Sequence, residues 1–226
     1  MRGGRRDRTV RRCARADSLP NLLEQVRGTR RGQLVTDDKR RREIQAAIEA
    51  VEAENDVSVE DQQAGLEGWW TLLYQAPTKS TKAMTSYEKR AVTVEGPFLS
   101  LFKPLQLVRT VSNLQRFDLE GGIVDNVAVF KVLGRYEGRL TIRGTVRQPP
   151  SDEAKSFVKF TSFFLQFGDG GWKVEVPLAK LVDDAKLPRG WLQTTYMSEP
   201  MGETRIGRGD KGSVFVAKRI PDQTST

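Results

Sequence analysis

Gly138-Arg139-Leu140-Thr141-Ile142-Arg143-Gly144-Thr145-Val146-Arg147 is the stretch that decides the fold. In an extended chain, Leu140, Ile142 and Val146 fall on one side, and Arg139, Thr141, Arg143, Thr145 and Arg147 fall on the other. Period two with one apolar and one basic face predicts a strand buried on one side and wet on the other. Downstream, beyond the Pro149-Pro150-Ser151-Asp152 turn, residues 157–167 place Phe157, Thr161, Phe163, Leu165 and Phe167 on one face. Val158, Phe160 and Phe164 lie on the second face. A strand apolar on both faces needs cover on both: core or an apolar guest inside, a helix or partner outside. Upstream, 69–75 puts Trp70, Leu72 and Tyr74 on one side. Further strands are predicted at 91–95, 105–112, 123–133, 136–148, 172–177, 191–197, 203–207 and 213–219. Short strands at close spacing, with too little helix between them for parallel crossovers, give a mainly β, antiparallel barrel or sandwich.

Ahead of the strands the period is 3.6. Ser18 can cap a helix in which Leu19, Leu22, Leu23 and Val26 share a face, ended by Gly28. Thr36-Asp37-Asp38 opens a second helix, its acids set against the positive end of the dipole. Ile44, Ala47, Ile48 and Val51 form its narrow apolar stripe, as in a helix resting on something larger, while Arg40, Arg41 and Arg42 read as a solvated face. The predicted organisation is a basic leader at 1–17, a helical pair within 18–56, a barrel over 66–220 and a short tail at 221–226.

The 226 residues carry a formal charge of +8, but the excess is local. Residues 1–16 hold seven Arg and one acid, leaving 30 basic against 28 acidic side chains in the rest. A nucleic-acid-binding fold carries its excess on the folded surface, so nucleic acid is not an expected partner. An Arg-rich, acid-poor leader without an apolar core reads as an organelle transit peptide. With no His there is no Ser–His or Cys–His nucleophile pair and no His-ligated metal. With Cys13 alone there is no internal disulfide and no Cys-based zinc site. Asp183, Asp184, Glu199, Glu203, Asp118 and Glu120 show no spacing suited to paired acid–base work, and Asp125 and Asp210 read as turn residues. No catalytic residue, metal or cofactor is therefore expected.

Gly207-Arg208-Gly209-Asp210-Lys211-Gly212 fits G-x-G-x-x-G, but a strand and not a helix follows, so a hairpin turn is the better reading than a dinucleotide site. The Arg208-Gly209-Asp210 adhesion tripeptide inside it is incidental on that reading. Gly68-x-Trp70 is similar to the opening of lipocalin-like barrels. There the Trp closes one end, and an Arg from a late strand stacks on it by a cation–π contact. Arg205, Arg208 and Arg219 are the candidates, and Gly68, Trp70 and Tyr74 belong to the same closure.

Three stretches resemble the plastid-lipid-associated protein family, also called fibrillins or plastoglobulins. They are Leu66-x-Gly68-x-Trp70-x-Leu72-Leu73-Tyr74, then Asn113-x-Gln115-x-Phe117-x-Leu119 with Gly122-x-Val124-x-Asn126-Val127, and last the C-terminal signature. That signature runs Gly190-Trp191-Leu192-x-Thr194-Thr195-Tyr196 and resumes at Arg205-Ile206-Gly207-Arg208-Gly209-Asp210-Lys211-Gly212-Ser213-Val214-Phe215-Val216. The family runs from Tyr through a short acidic stretch to Arg-Ile; here the intervening 197–204 is longer and less acidic. The resemblance implies a lipocalin-like barrel in a plastid, at thylakoids or plastoglobules. It also implies non-enzymatic binding of a hydrophobic small molecule or lipid, such as a fatty acid, prenylquinone or carotenoid. Phe157, Phe163, Leu165, Phe167, Leu140, Ile142 and Val146 are the residues expected to line the site. The alternative is a coat or scaffold protein of plastid lipid droplets with a side-chain-filled barrel.

Overall fold

The computed structural model describes residues 18–77, 108–150, 153–168, 171–180, 183–198, 202–210 and 212–222. The leader and the strand predicted at 91–95 lie outside them. Helix α1 covers residues 18–26 and gives way at Gly28, whose φ of 72° only a glycine adopts without strain. The Ser18 hydroxyl donates to Glu54 Oε1 at 2.6 Å. Helix α2 is Asp38–Glu52, capped by the Asp37 carboxylate, which accepts from the Arg40 N–H at 2.9 Å. Those backbone donors hold the Asp37 carboxyl below its usual pKa. A short helix not foreseen from sequence, α3 (Val59–Ala64), is capped by Ser58.

Among the described residues nine antiparallel strands follow: β1 (Gly68–Pro77), β2 (Val108–Asp118), β3 (Ile123–Val132), β4 (Tyr136–Arg147), β5 (Lys155–Phe167), β6 (Lys173–Pro177), β7 (Arg189–Met197), β8 (Thr204–Gly209) and β9 (Ser213–Ile220). They run β4-β3-β2-β1-β9-β8-β7-β5-β6, and a further β4–β5 ladder from Gly138–Phe167 to Arg147–Phe157 closes eight of them into a barrel. β5 is long enough to serve two neighbours, pairing its first half with β7 and its second with β6. The predicted hairpin turn is present, joining β8 to β9.

The helices cover the outside of one wall. Ile44, Ala47, Ile48 and Val51 of α2, with Leu22 and Val26 of α1, pack on Tyr74, Ala76, Ile206, Val214 and Val216. Each Ile or Val fully removed from water there contributes roughly 1.5–3 kcal/mol. Tyr74 reaches that layer because a bulge at Leu72/Tyr74 reverses the phase of β1. Leu72 pairs with inward Ala217, whereas Tyr74 pairs with outward Val216. The same burial raises the pKa of the Tyr74 hydroxyl.

A cavity above a two-arginine floor

One end of the barrel is packed shut by Leu66, Trp70, Phe117, Val124, Val146, Val158, Leu192, Met197 and Ala217. Trp70 is fully buried and its indole N–H donates to the Leu66 carbonyl at 2.9 Å. Gly68 enters the strand at φ 100°, and a Cβ there would press on the Arg219 guanidinium. Two guanidinium groups stack on Trp70, that of Arg219 at 4.5 Å from the ring centre and that of Arg205 at 4.9 Å. Their circumstances differ. Arg219 donates to the carbonyls of Gly202 at 3.2 Å, Gly65 at 2.6 Å and Glu67. Arg205 is 1% exposed and also faces Phe117 and Phe215, each at 5.2 Å. Its Nη2 donates to Gln115 Oε1, while Nε and Nη1 have no acceptor. Among the described residues no carboxylate pairs with it. Desolvation, reinforced by Arg219, pushes its pKa down to about 9, so it remains a cation at neutral pH.

Above this floor the barrel is hollow. A cavity of about 340 Å³ is lined on one side by Leu140, Ile142, Val158 and Phe160, and on the other by Leu72, Phe215 and Ala217. Asn113, Gln115 and Asn126 form a polar strip between these walls. The strip is connected, with Gln115 Nε2 donating to Asn126 Oδ1 at 2.8 Å while Gln115 Oε1 receives the Arg205 bond. Pro188, Arg189, Asp210 and Ser213 are at the rim. Gly190 makes room for the Asp210 carboxylate, which a Cβ would overlap. Among the described residues the lining holds that one carboxylate and no Glu, Lys or Tyr.

Leu140 and Ile142 line the cavity. Val146 sits lower, in the packed floor. Phe163, Leu165 and Phe167 pair across the sheet with Ile142, Leu140 and Gly138, and cluster with Phe130 beside the cavity. Phe130 meets Phe167 edge-on at 5.8 Å. Phe157 does not belong to this set. Arg143 pairs with Ser162 and Gly144 with Phe160, so Thr161 is an extra residue and the face of β5 changes there. Phe157 is left outside at 45% exposure, and Val158 and Phe160 line the interior instead. Of the proposed closure residues, Gly68, Trp70 and Arg205 are at the floor, whereas Tyr74 and Arg208 face outward. Arg208 donates to Glu52 of α2 through Nε at 2.9 Å and through Nη2 at 2.5 Å, and that bond raises its pKa. Asp125 is not a turn residue. It is buried within β3 and accepts two bonds from Arg143, at 2.7 and 2.9 Å. Arg139, Arg143 and Arg147 lie on the outer face of β4, opposite Leu140, Ile142 and Val146. Sequence reading missed the polar strip, although the alternation Asn113-x-Gln115-x-Phe117 carried its signal.

A closed antiparallel barrel with a plugged end, a hollow interior and helices on one wall defines a lipocalin-like architecture. The PAP_fibrillin family model matches residues 17–218, and the chain belongs to that family. It is 28% identical over 193 residues to a protein of Arabidopsis thaliana named "Probable plastid-lipid-associated protein 12, chloroplastic". The match takes in 82% of this chain and 41% of that protein, so the chain spans less than half the length of this relative. No solved structure matches.

Proposed function

We propose that the barrel carries a lipophilic molecule in its interior and does so at a plastid lipid surface, a thylakoid or a plastoglobule. The observation that supports this best is the hollow space above the floor. Its apolar walls would take apolar ligand surface out of water, contributing about 0.8 kcal/mol per buried CH₂ before ordering costs. About 340 Å³ is near the lower end for ligand pockets, so an acyl chain or one ring system suits it. A long prenyl or carotenoid chain would have to extend past the rim. The family and the relative's name support the plastid lipid setting. The reading contains no catalytic step.

Surface features agree with work at a lipid boundary. The β3–β4 and β5–β6 hairpins emerge side by side, joined by a bond from the Gly168 N–H to the Glu137 carbonyl, while within the second hairpin the Phe167 N–H donates to the Trp172 carbonyl. Leu133, Tyr136 and Trp172 are 62%, 56% and 67% exposed there. Amphipathic aromatics of this kind rest well at a headgroup boundary. Extraction of the purified chain followed by lipid mass spectrometry tests the carrier reading. A stoichiometric lipophilic species is expected. A lipid-free protein that also takes up no added lipid contradicts the reading and favours the coat.

A further inference from the structure

We propose that Arg205 is an anion receptor inside the barrel, binding the ionised carboxylate of a single-chain amphiphile so that the site selects fatty-acid-like ligands over neutral lipids. The inference rests on the carrier reading and deepens it.

Closure of the floor does not require this cation. Arg219 already stacks on Trp70 and has each of its nitrogens engaged by a backbone carbonyl. Arg205 adds a second positive charge beside the first, in a site with three aromatic rings and one amide oxygen as its surroundings. A buried guanidinium lacking a counter-charge is costly, and each buried N–H without an acceptor adds to that cost. An anion placed against Nη1 supplies the missing counter-charge and gives one of the two orphaned donors an acceptor. Nη1 shares the terminal edge of the guanidinium with Nη2, which keeps a second N–H beyond its bond to Gln115, so a carboxylate can engage that edge with two bonds. Gln115 and Asn126 continue the polar strip away from that edge, and Leu140, Ile142, Val158 and Phe160 offer the apolar wall for a tail. Head and tail recognition are therefore both present, in the order an amphiphile entering head-first would meet them.

The test titrates laurate, dodecanol and methyl laurate by calorimetry into the delipidated full chain at neutral pH. Laurate is expected to bind about ten- to hundredfold more tightly than its neutral counterparts, the margin of charge-assisted hydrogen bonds. Arg205→Met is expected to keep dodecanol binding and erase the preference, with a melting curve confirming that the variant is folded. Should that variant fail to fold, laurate labelled with ¹³C at the carboxyl decides the matter on the unaltered chain. Its bound carboxyl shift is expected to show ionisation persisting to lower pH than in the free acid. Equal affinity for acid and alcohol, a preference that survives in Arg205→Met, or a bound acid that titrates at or above the free value overturns the receptor. Each of those outcomes leaves the carrier reading intact. Failure of all three compounds to bind removes the carrier reading and the receptor together.

Discussion

Arg205 and Arg208 stand three residues apart on β8 and therefore face opposite ways, one into the barrel and one toward the helices. The outward cation meets the Glu52 carboxylate of α2, which also accepts from Thr195. The inward cation meets rings, an amide oxygen and empty volume. On its outer face the strand is completed by other parts of the chain. On its inner face the chain leaves both a cavity and two donors unused. A sheet that needed only stability would have filled that volume with side chains, as the floor does around Trp70.

The contrast can be broken in several places. The largest effect is expected at the floor: Trp70→Ala should lower unfolding free energy by about 3–5 kcal/mol in denaturant titration, because neither the plug nor either arginine stack survives. A loss under about 1 kcal/mol would mean that the end is not packed as described. Ile48→Ala on the outer wall should lose about 2–4 kcal/mol in the same assay, marking the helical cover as part of the core. Glu52→Ala should cost about 1–3 kcal/mol by leaving Arg208 half-buried without its partner. Adding Arg208→Ala should then bring little further loss, and additive costs in that cycle would refute the pairing. Smallest of all, Arg205→Met should leave stability within about 1 kcal/mol of the parent or raise it, since an apolar chain of similar length replaces an uncompensated charge. A loss like that of Glu52→Ala would make the two faces alike and dissolve the comparison.

Much of this architecture is written in side-chain periods. The α2 stripe of Ile44, Ala47, Ile48 and Val51 is the set of residues the structure buries. The alternation over 138–147 gives the inner and outer faces of β4 as observed. What escaped sequence reading has physical reasons. The bulge at Thr161 inserts one residue without any compositional mark and reverses the period for everything before it, so an unbroken alternation wrongly places Phe157 on the inner face. The bulge at Leu72/Tyr74 misled the reading of Tyr74 in the same way. Helix α3 has Gln62 as its buried residue and so shows no apolar stripe to read. Strand β2 extends to Asp118, beyond the expected end at 112, because Asn113, Gln115 and Arg116 dilute its apolar signal. Those same amides are what make the cavity amphiphilic. The polar positions that weaken a strand prediction are here the ones that give the interior its chemistry.

The central claim is that the barrel interior admits a greasy guest, and filling that interior tests it most directly. Ala128 lines the cavity beside its cross-strand partner Leu140, so Ala128→Trp would occupy the space while leaving the outer wall and helices untouched. The neutral fluorophore N-phenyl-1-naphthylamine, titrated into both proteins, reads occupancy without involving Arg205. Saturable one-to-one enhancement is expected with the parent chain, and a loss of at least about tenfold in affinity with Ala128→Trp. Equal binding to both folded proteins would contradict it and place the lipid contact on the outside.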